Sequence, residues 1–377
     1  MPPPRSTRWP IEPHTQVKHL ILRKYLDAWL PIMCQTNNRI VYIDGFAGPG
    51  RYSQGEDGSP IIALKALLDH PRFQIADRRG EVEFLFIESD EERATALEEE
   101  LTELKSIRPF PKWLKYAVKP GEFDTQMTER LDDLKKQGKP MDPTFAFIDP
   151  FGYKGLPLQI ISRIVQNNRC ECLINFMYEA FTRHAGKSES WIQEEWDQLF
   201  GTQQWRDILA DSDPKRRFDK AVELYHSQLI QQAKLKYVRR FVIKDRNNQP
   251  EYVLFFGTNN QKGLSQMKHA MWKADPQRGQ VFSDWTDVGQ MVLLEPGQEL
   301  GLRDELQRKF RSQGYVKIET IEQFVLEETA YSEASHLKKK TLAPMETESP
   351  PLLEVQRPPG SQNRKGTYPD GTRVKFL

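Results

Sequence analysis

Between residues 39 and 182, strongly apolar segments alternate with segments of helical pattern, and this alternation limits the chain to one class of architecture. The apolar segments are RIVYID, EVEFLFIESD, LKYAVKPGEFD, TFAFIDPFG and CECLINFMYEAF. Between them GSPIIALKALLDH, EERATALEEELTEL, TQMTERLDDLKKQG and LPLQIISRIVQNN repeat apolar residues at helical spacing, as does HTQVKHLILRKYLDAWLPIM before the first. Strands that are nearly all apolar are covered on both faces. The pattern predicts a doubly wound parallel α/β sheet. KYVRRFVIKDRNNQPEYVLFFGTNN then reads as two strands around a polar turn, an antiparallel hairpin that closes the sheet.

Residues 184–236 interrupt the alternation with a helical, tryptophan-bearing insert (Trp191, Trp196, Trp205). The end of the chain runs helix, strand, helix, helix and two short strands (GLRDELQRKFRSQG, YVKIE, TIEQFVLEETAY, SEASHLKKKTLAPMETE, LLEVQ, TRVKF), which is winged-helix order. The expected organisation is an α/β domain over 1–183 and 237–274, a helical insert over 184–236, a connector over 275–298 and a winged-helix-like domain over 299–377. Net charge over the 377 residues is +1, so only local patches can indicate an anionic partner. The last 47 residues carry eight Lys/Arg against five Asp/Glu. Lys338, Lys339 and Lys340 fall on the presumed recognition helix, and Arg357, Arg364 and Lys365 on the wing. Such groups would contact nucleic-acid phosphates. The competing reading is a solvated face, or a winged helix used for protein contacts.

Cys34, Cys170 and Cys172 are too few and too poorly spaced for a disulfide framework or a zinc site, so buried thiols and no metal are expected. No segment approaches the length of a membrane helix, and MPPPRSTRWP lacks the apolar core of a signal peptide. A cytoplasmic location without membrane partners is the default expectation.

Ligands of open α/β sheets bind beyond the carboxyl ends of the strands. Three acids stand there: Asp44, Glu88 and Asp149. Asp44 opens the small-residue loop Asp44-Gly45-Phe46-Ala47-Gly48-Pro49-Gly50, where glycines let backbone approach a ligand. The loop is neither a phosphate loop nor the dinucleotide pattern. An acid before it suits a cationic group, and Glu88 is placed to bind two ribose hydroxyls. Asp149-Pro150-Phe151-Gly152 offers a carboxylate, free carbonyls and an aromatic face at one place. A plain strand-to-turn transition is the alternative for each of these, because Asp-Pro commonly starts a turn.

Together, the DGFAGPG loop, the acid after the second strand, GEF after the third and DPFG after the fourth resemble class I S-adenosylmethionine-dependent methyltransferases. HTQVKH and FAGPGRY resemble adenine-N6 methyltransferases of large ribosomal RNA, and DPFG resembles the DPPY and DPFG motifs of amino methyltransferases. The whole length is similar to the three-Cys-motif partner protein family. The resemblance implies S-adenosyl-L-methionine as cofactor, held by Asp44, Gly45, Phe46, Ala47, Gly48 and Gly50. It further implies Glu88 on the ribose, Glu122 and Phe123 by the adenine, and His14 and Lys18 near the cofactor. Asp149, Pro150, Phe151 and Gly152 would hold the target amine, with Phe151 and Tyr153 stacking on an extracted base. It implies a Rossmann-like methyltransferase sheet, transfer to an exocyclic amine of DNA or RNA, and a companion three-Cys-motif protein. A subordinate, non-catalytic partner subunit is the alternative. The glycine after Phe151, where DPPY has tyrosine, and Glu122, where aspartate is commoner, depart from the pattern.

Overall fold

A computed structural model describes residues 6–71, 73, 80–245, 247–276, 279–283, 298–361 and 364–377. The chain divides into two compact units, Met1–Gly263 with Phe282–Val288, and Leu264–Val281 with Gly289–Leu377. The division falls at Leu264, inside a helix. Most of the expected connector, 284–297, lies outside the described residues.

The first unit begins with α1 (Pro13–Thr36), β1 (Arg39–Asp44), α2 (Ser59–Leu68), β2 (Glu81–Glu88), α3 (Glu91–Ile107), β3 (Leu114–Pro120), α4 (Phe123–Lys136), β4 (Thr144–Ile148), α5 (Leu158–Ile164) and β5 (Glu171–Phe176). Short loops and local caps punctuate this run. Asp90 accepts the amide of Arg93 at the start of α3, and Pro60 sits in the first turn of α2, whose cap is Gly58. The insert supplies α6 (Tyr178–His184), α7 (Ser190–Phe200), α8 (Trp205–Leu209) and α9 (Pro214–Gln231), followed by β6 (Tyr237–Lys244) and β7 (Pro250–Thr258).

These strands form one sheet in the order β3-β2-β1-β4-β5-β7-β6, with the short β8 (Val281–Ser283) at the β6 edge. β1 to β5 pair in parallel, while β7 runs antiparallel to both β5 and β6. The mostly parallel sheet with flanking helices is consistent with a Rossmann-like methyltransferase fold.

Period-two alternation sorts the strand residues onto two faces. Val41, Ile43, Ala146, Ile148, Cys172, Ile174, Phe176, Val253 and Phe255 share one core. Trp196, Trp205 and Tyr225 of the insert belong to that same core, so the insert is built into the sheet's packing rather than laid over it. The opposite face meets α1, where Tyr25 packs on Phe145 and Phe256 with ring centroids 5.0 and 5.1 Å away. Cys170 and Cys172 are free and buried, and burial pushes both thiols up to about 12. The intervening Glu171 points the other way and accepts from Tyr25 Oη (2.5 Å) and Thr258 Oγ1 (2.6 Å). Burial raises its pKa despite these donors. No described helix is long and apolar enough to cross a membrane.

The second unit contains most of α10 (Gln261–Ala274), α11 (Gln298–Phe310), β9 (Tyr315–Lys317), α12 (Ile318–Glu328), a helix with π-type turns (Glu333–Leu342) continued by Ala343–Thr347, β10 (Leu353–Gln356) and β11 (Arg373–Phe376). Its sheet is antiparallel in the order β10-β11-β9. The core includes Leu302, Leu306, Ile321, Val325, Leu337 and Val374. Lys339, Lys340, Arg364 and Lys365 are exposed. Lys338 is half-buried and pairs with Glu322 at 2.7 Å. Arg357 departs from expectation. Its side chain is 5% exposed and forks onto Glu346 at 2.7 and 2.8 Å, so it is committed inside the unit and cannot serve as a phosphate contact.

Losing Arg357 would leave the buried Glu346 carboxylate without its cation. Arg357→Ala is expected to destabilise by about 3–5 kcal/mol. An Arg364→Ala/Lys365→Ala variant should stay within about 0.5 kcal/mol of wild type. Urea unfolding of the three full-length proteins checks this, and equal midpoints for all three would refute the assignment.

Candidate functional site at the carboxyl ends of the strands

Strand parity assembles the site. Val41 and Ile43 enter the insert-side core, so Asp44 faces the other way; the same count places Asp149, Asn175 and Tyr252 on the α1 face. The ladder carries Asp44 opposite Phe147, Ile148 opposite Ile174, and Phe176 opposite Val253. Because β1, β4, β5 and β7 are successive neighbours, these four polar residues line one edge of the sheet in that order.

The loop after β1 is cinched at both ends. The Gly45 amide donates to the Phe147 carbonyl and the Ala47 amide to the Ile87 carbonyl, each at 2.9 Å. The Gly48 amide donates to Glu88 Oε2 at 2.7 Å, and the Asp90 amide to Oε1 at 3.0 Å. Gly48 and Gly50 adopt φ of +62° and +80°, a region that favours glycine. A Cβ on Gly45 would lie 2.6 Å from the Phe123 ring. That ring is buried and packs on Phe46 with centroids 5.6 Å apart. Phe123 is therefore the floor of the loop, and its ring presents no open face to an adenine. Glu122 caps α4 without a side-chain hydrogen bond and is exposed.

Asp44 is fully buried. Loss of hydration raises its pKa to about 7, against the opposing hydrogen bonds of Ser59 and the Phe46 amide. Glu88 is also raised by burial, with the Asp90 and Gly48 amides pulling the other way.

Asp149 lines a neighbouring cavity of about 110 Å³. Lys18 Nζ donates to both its oxygens, at 2.6 and 2.8 Å, and Asn175 Nδ2 donates to Oδ1 at 2.6 Å. His14 lines the same cavity, its Nε2 2.6 Å from Glu12 and its ring edge-on to Tyr252. Lys18 and His14 thus stand beside the DPFG segment. Pro150 is buried, and Gly152 holds φ of +136°. Phe151 is 39% exposed, with its edge against Trp9 at 5.3 Å. Tyr153, in contrast, turns inward and stacks on Trp196 at 4.4 Å, so it is not a platform for a base. Asn175, Tyr252, Trp9 and Tyr52 are among the other lining residues and are absent from the residues chosen by motif. Asn175 carries one signal, as the single polar side chain in CLINF. Trp9 carries none.

No protein-family model matches the chain, and no curated protein matches it. Solved structures do match. The human methyltransferase 10 domain containing protein is 13% identical over 64% of this chain and 83% of its own, with a TM-score of 0.29. The methyltransferase domain of bacterial CtHen1-C is 12% identical over 63% of this chain and 98% of its own, at 0.30. YjhP from Escherichia coli is 9% identical over 62% and 91%, at 0.25. At these scores the fold rests on the strand order and not on the matches.

The buried Asp44 carboxyl sets a pH dependence whose sign follows from its raised pKa. The unfolded chain releases this proton near the ordinary value of 3.8, whereas the folded chain keeps it to about 7. In that window the unfolded state binds fewer protons, so stability falls as pH rises and levels off above it. Relative to Asp44→Asn, wild type should lose up to about 4 kcal/mol between pH 4 and 8. Urea midpoints for the pair across that range measure it, and parallel curves would show that Asp44 titrates normally.

Proposed function

We propose that the chain is an S-adenosylmethionine-dependent methyltransferase acting on an exocyclic amino group of a nucleic-acid base. The observation that carries this reading is the placement of Asp149, held by Lys18 and Asn175 beside a half-exposed Phe151, at the strand end next to the loop of Asp44. The residues fit the cofactor on two counts. A glycine loop with left-handed backbone passes between two acids, and Glu88 spends only one lone pair on each oxygen with its two amide donors. When bound, the cofactor supplies an electrophilic methyl group on sulfur.

The residues of the chain do the rest. Asp44 would face the amino group of the methionine part and Glu88 the ribose hydroxyls. An exocyclic amine is a poor nucleophile because its lone pair is conjugated into the ring. Asp149 accepts an N–H hydrogen bond, favours the pyramidal nitrogen and takes up the charge that develops on it as the N–C bond forms and the C–S bond breaks. The proton of the methylated amine passes to Asp149 or water. Phe151 stacks on the extracted base for about 1–3 kcal/mol. Holding the amine in line with the methyl supplies much of the acceleration. The strand and helix order of the second unit, with Lys339, Lys340, Arg364 and Lys365 exposed, supports a phosphate-bearing partner.

The second reading is a subordinate subunit of a companion three-Cys-motif protein, in which the fold is kept without the transfer. Calorimetric titration of S-adenosylmethionine separates the two. Binding by wild type, lost in Asp44→Ala and Glu88→Ala, is expected. Asp149→Ala should still bind the cofactor but transfer labelled methyl to total RNA or DNA on the order of 10²–10³-fold more slowly. Full transfer by Asp149→Ala would remove it from the chemistry. Failure of folded wild type to bind would favour the subordinate role.

A further inference from the structure

Among the described residues, two residues that line the Asp149 cavity each carry a buried polar side-chain atom with no hydrogen-bond partner: Asn175 Oδ1 and the Tyr252 hydroxyl. Asn175 is 1% exposed and Tyr252 2%. Leaving such a group unpaired inside a fold is costly, so each calls for an explanation. Both side chains are held by their surroundings. Asn175 is fixed through Nδ2, which donates to Asp149 Oδ1 at 2.6 Å and lies 3.2 Å from Met177 Sδ. That contact decides the orientation of the amide, because the reverse would set its oxygen against the carboxylate. Tyr252 is clamped between the His14 ring, edge-on at 5.0 Å, and Lys18 Nζ, 5.0 Å from the ring centre. The other unpaired atoms, among them those of Trp196 and Tyr225, belong to residues that do not line this cavity.

We infer that these two atoms read the edge of the methyl acceptor. Asn175 Oδ1 is an acceptor fixed next to Asp149, so the pair takes both N–H groups of one primary amine. The Tyr252 hydroxyl, with no acceptor of its own in the fold, donates to a bare ring nitrogen beside that amine. The acceptor is therefore of the H₂N–C=N type, an amine on a heterocycle, and not an aliphatic amine. This deepens the reading of an amino methyltransferase and rests on it. It names which feature of the substrate class the pocket selects.

The test uses ligand-observed NMR on the full chain with S-adenosylhomocysteine present, and four probes: adenosine, cytidine, purine riboside (ring nitrogens without the amine) and benzylamine (the amine without ring nitrogen). Adenosine or cytidine is expected to bind at least about tenfold more tightly than purine riboside or benzylamine, the equivalent of one well-placed hydrogen bond. Tyr252→Phe and Asn175→Leu should each abolish that preference. Tyr252→Phe should also match or exceed wild type in melting temperature, because it deletes an unsatisfied hydroxyl. A lower melting temperature with the preference intact would make Tyr252 a structural group bridged by water, and would overturn the inference. So would binding of none of the four, or equal binding of all. Calorimetry with S-adenosylhomocysteine alone, run in parallel, tells failure of the cofactor reading from failure of this one.

Discussion

The contact on which the carboxyl edge depends is the ion pair of Lys18 with Asp149. Their side chains are 8% and 16% exposed, so neither partner is well solvated. A buried pair of this kind is weak evidence for stability, because desolvation of two ions offsets much of their attraction. Its effect is geometric. It pins α1 to the end of β4, and α1 brings His14 to the same cavity and Tyr25 to the middle of the sheet. With Asn175 on the other side, the carboxylate of Asp149 is held from two elements that are distant in sequence. A group held that way loses little freedom when a substrate amine arrives, which is the condition for positioning to contribute to rate.

The alternation of apolar and amphipathic segments made the sheet legible, because parallel strands must be apolar on both faces and the helices must each offer one apolar stripe. The glycine loop and the DPFG segment were legible for a related reason: both are local, and their backbone demands are written in adjacent residues. What depended on tertiary contact was not. Tyr153 follows DPFG by one residue and looks available for stacking, yet the insert supplies Trp196 as its partner. Phe123 looks like a wall for a ligand, yet the missing side chain of Gly45 makes room for its ring under the loop. Arg357 adds to a basic count that treats all cations as solvated, and Glu346 removes it from that count. Asn175 and Tyr252 line one cavity because β7 runs antiparallel beside β5, a pairing that neither segment announces alone.

The α1 face of the sheet buries polar groups of two kinds, and the contrast between them separates scaffold from site. Glu171 sits toward the amino end of β5, and Tyr25 and Thr258 donate to it. Those donors lower the cost of a carboxylate taken out of water, and they lock α1 and the end of β7 to the strand. Four residues along the same strand, Asn175 keeps an acceptor with no donor among the described residues, and Tyr252 across the ladder a hydroxyl with no acceptor among them. A fold gains nothing from such atoms by themselves, since an apolar replacement of similar shape would cost less. Their retention at the carboxyl ends, where Glu171 at the other end of the same strand has its two donors, is what a surface kept ready for a polar ligand requires.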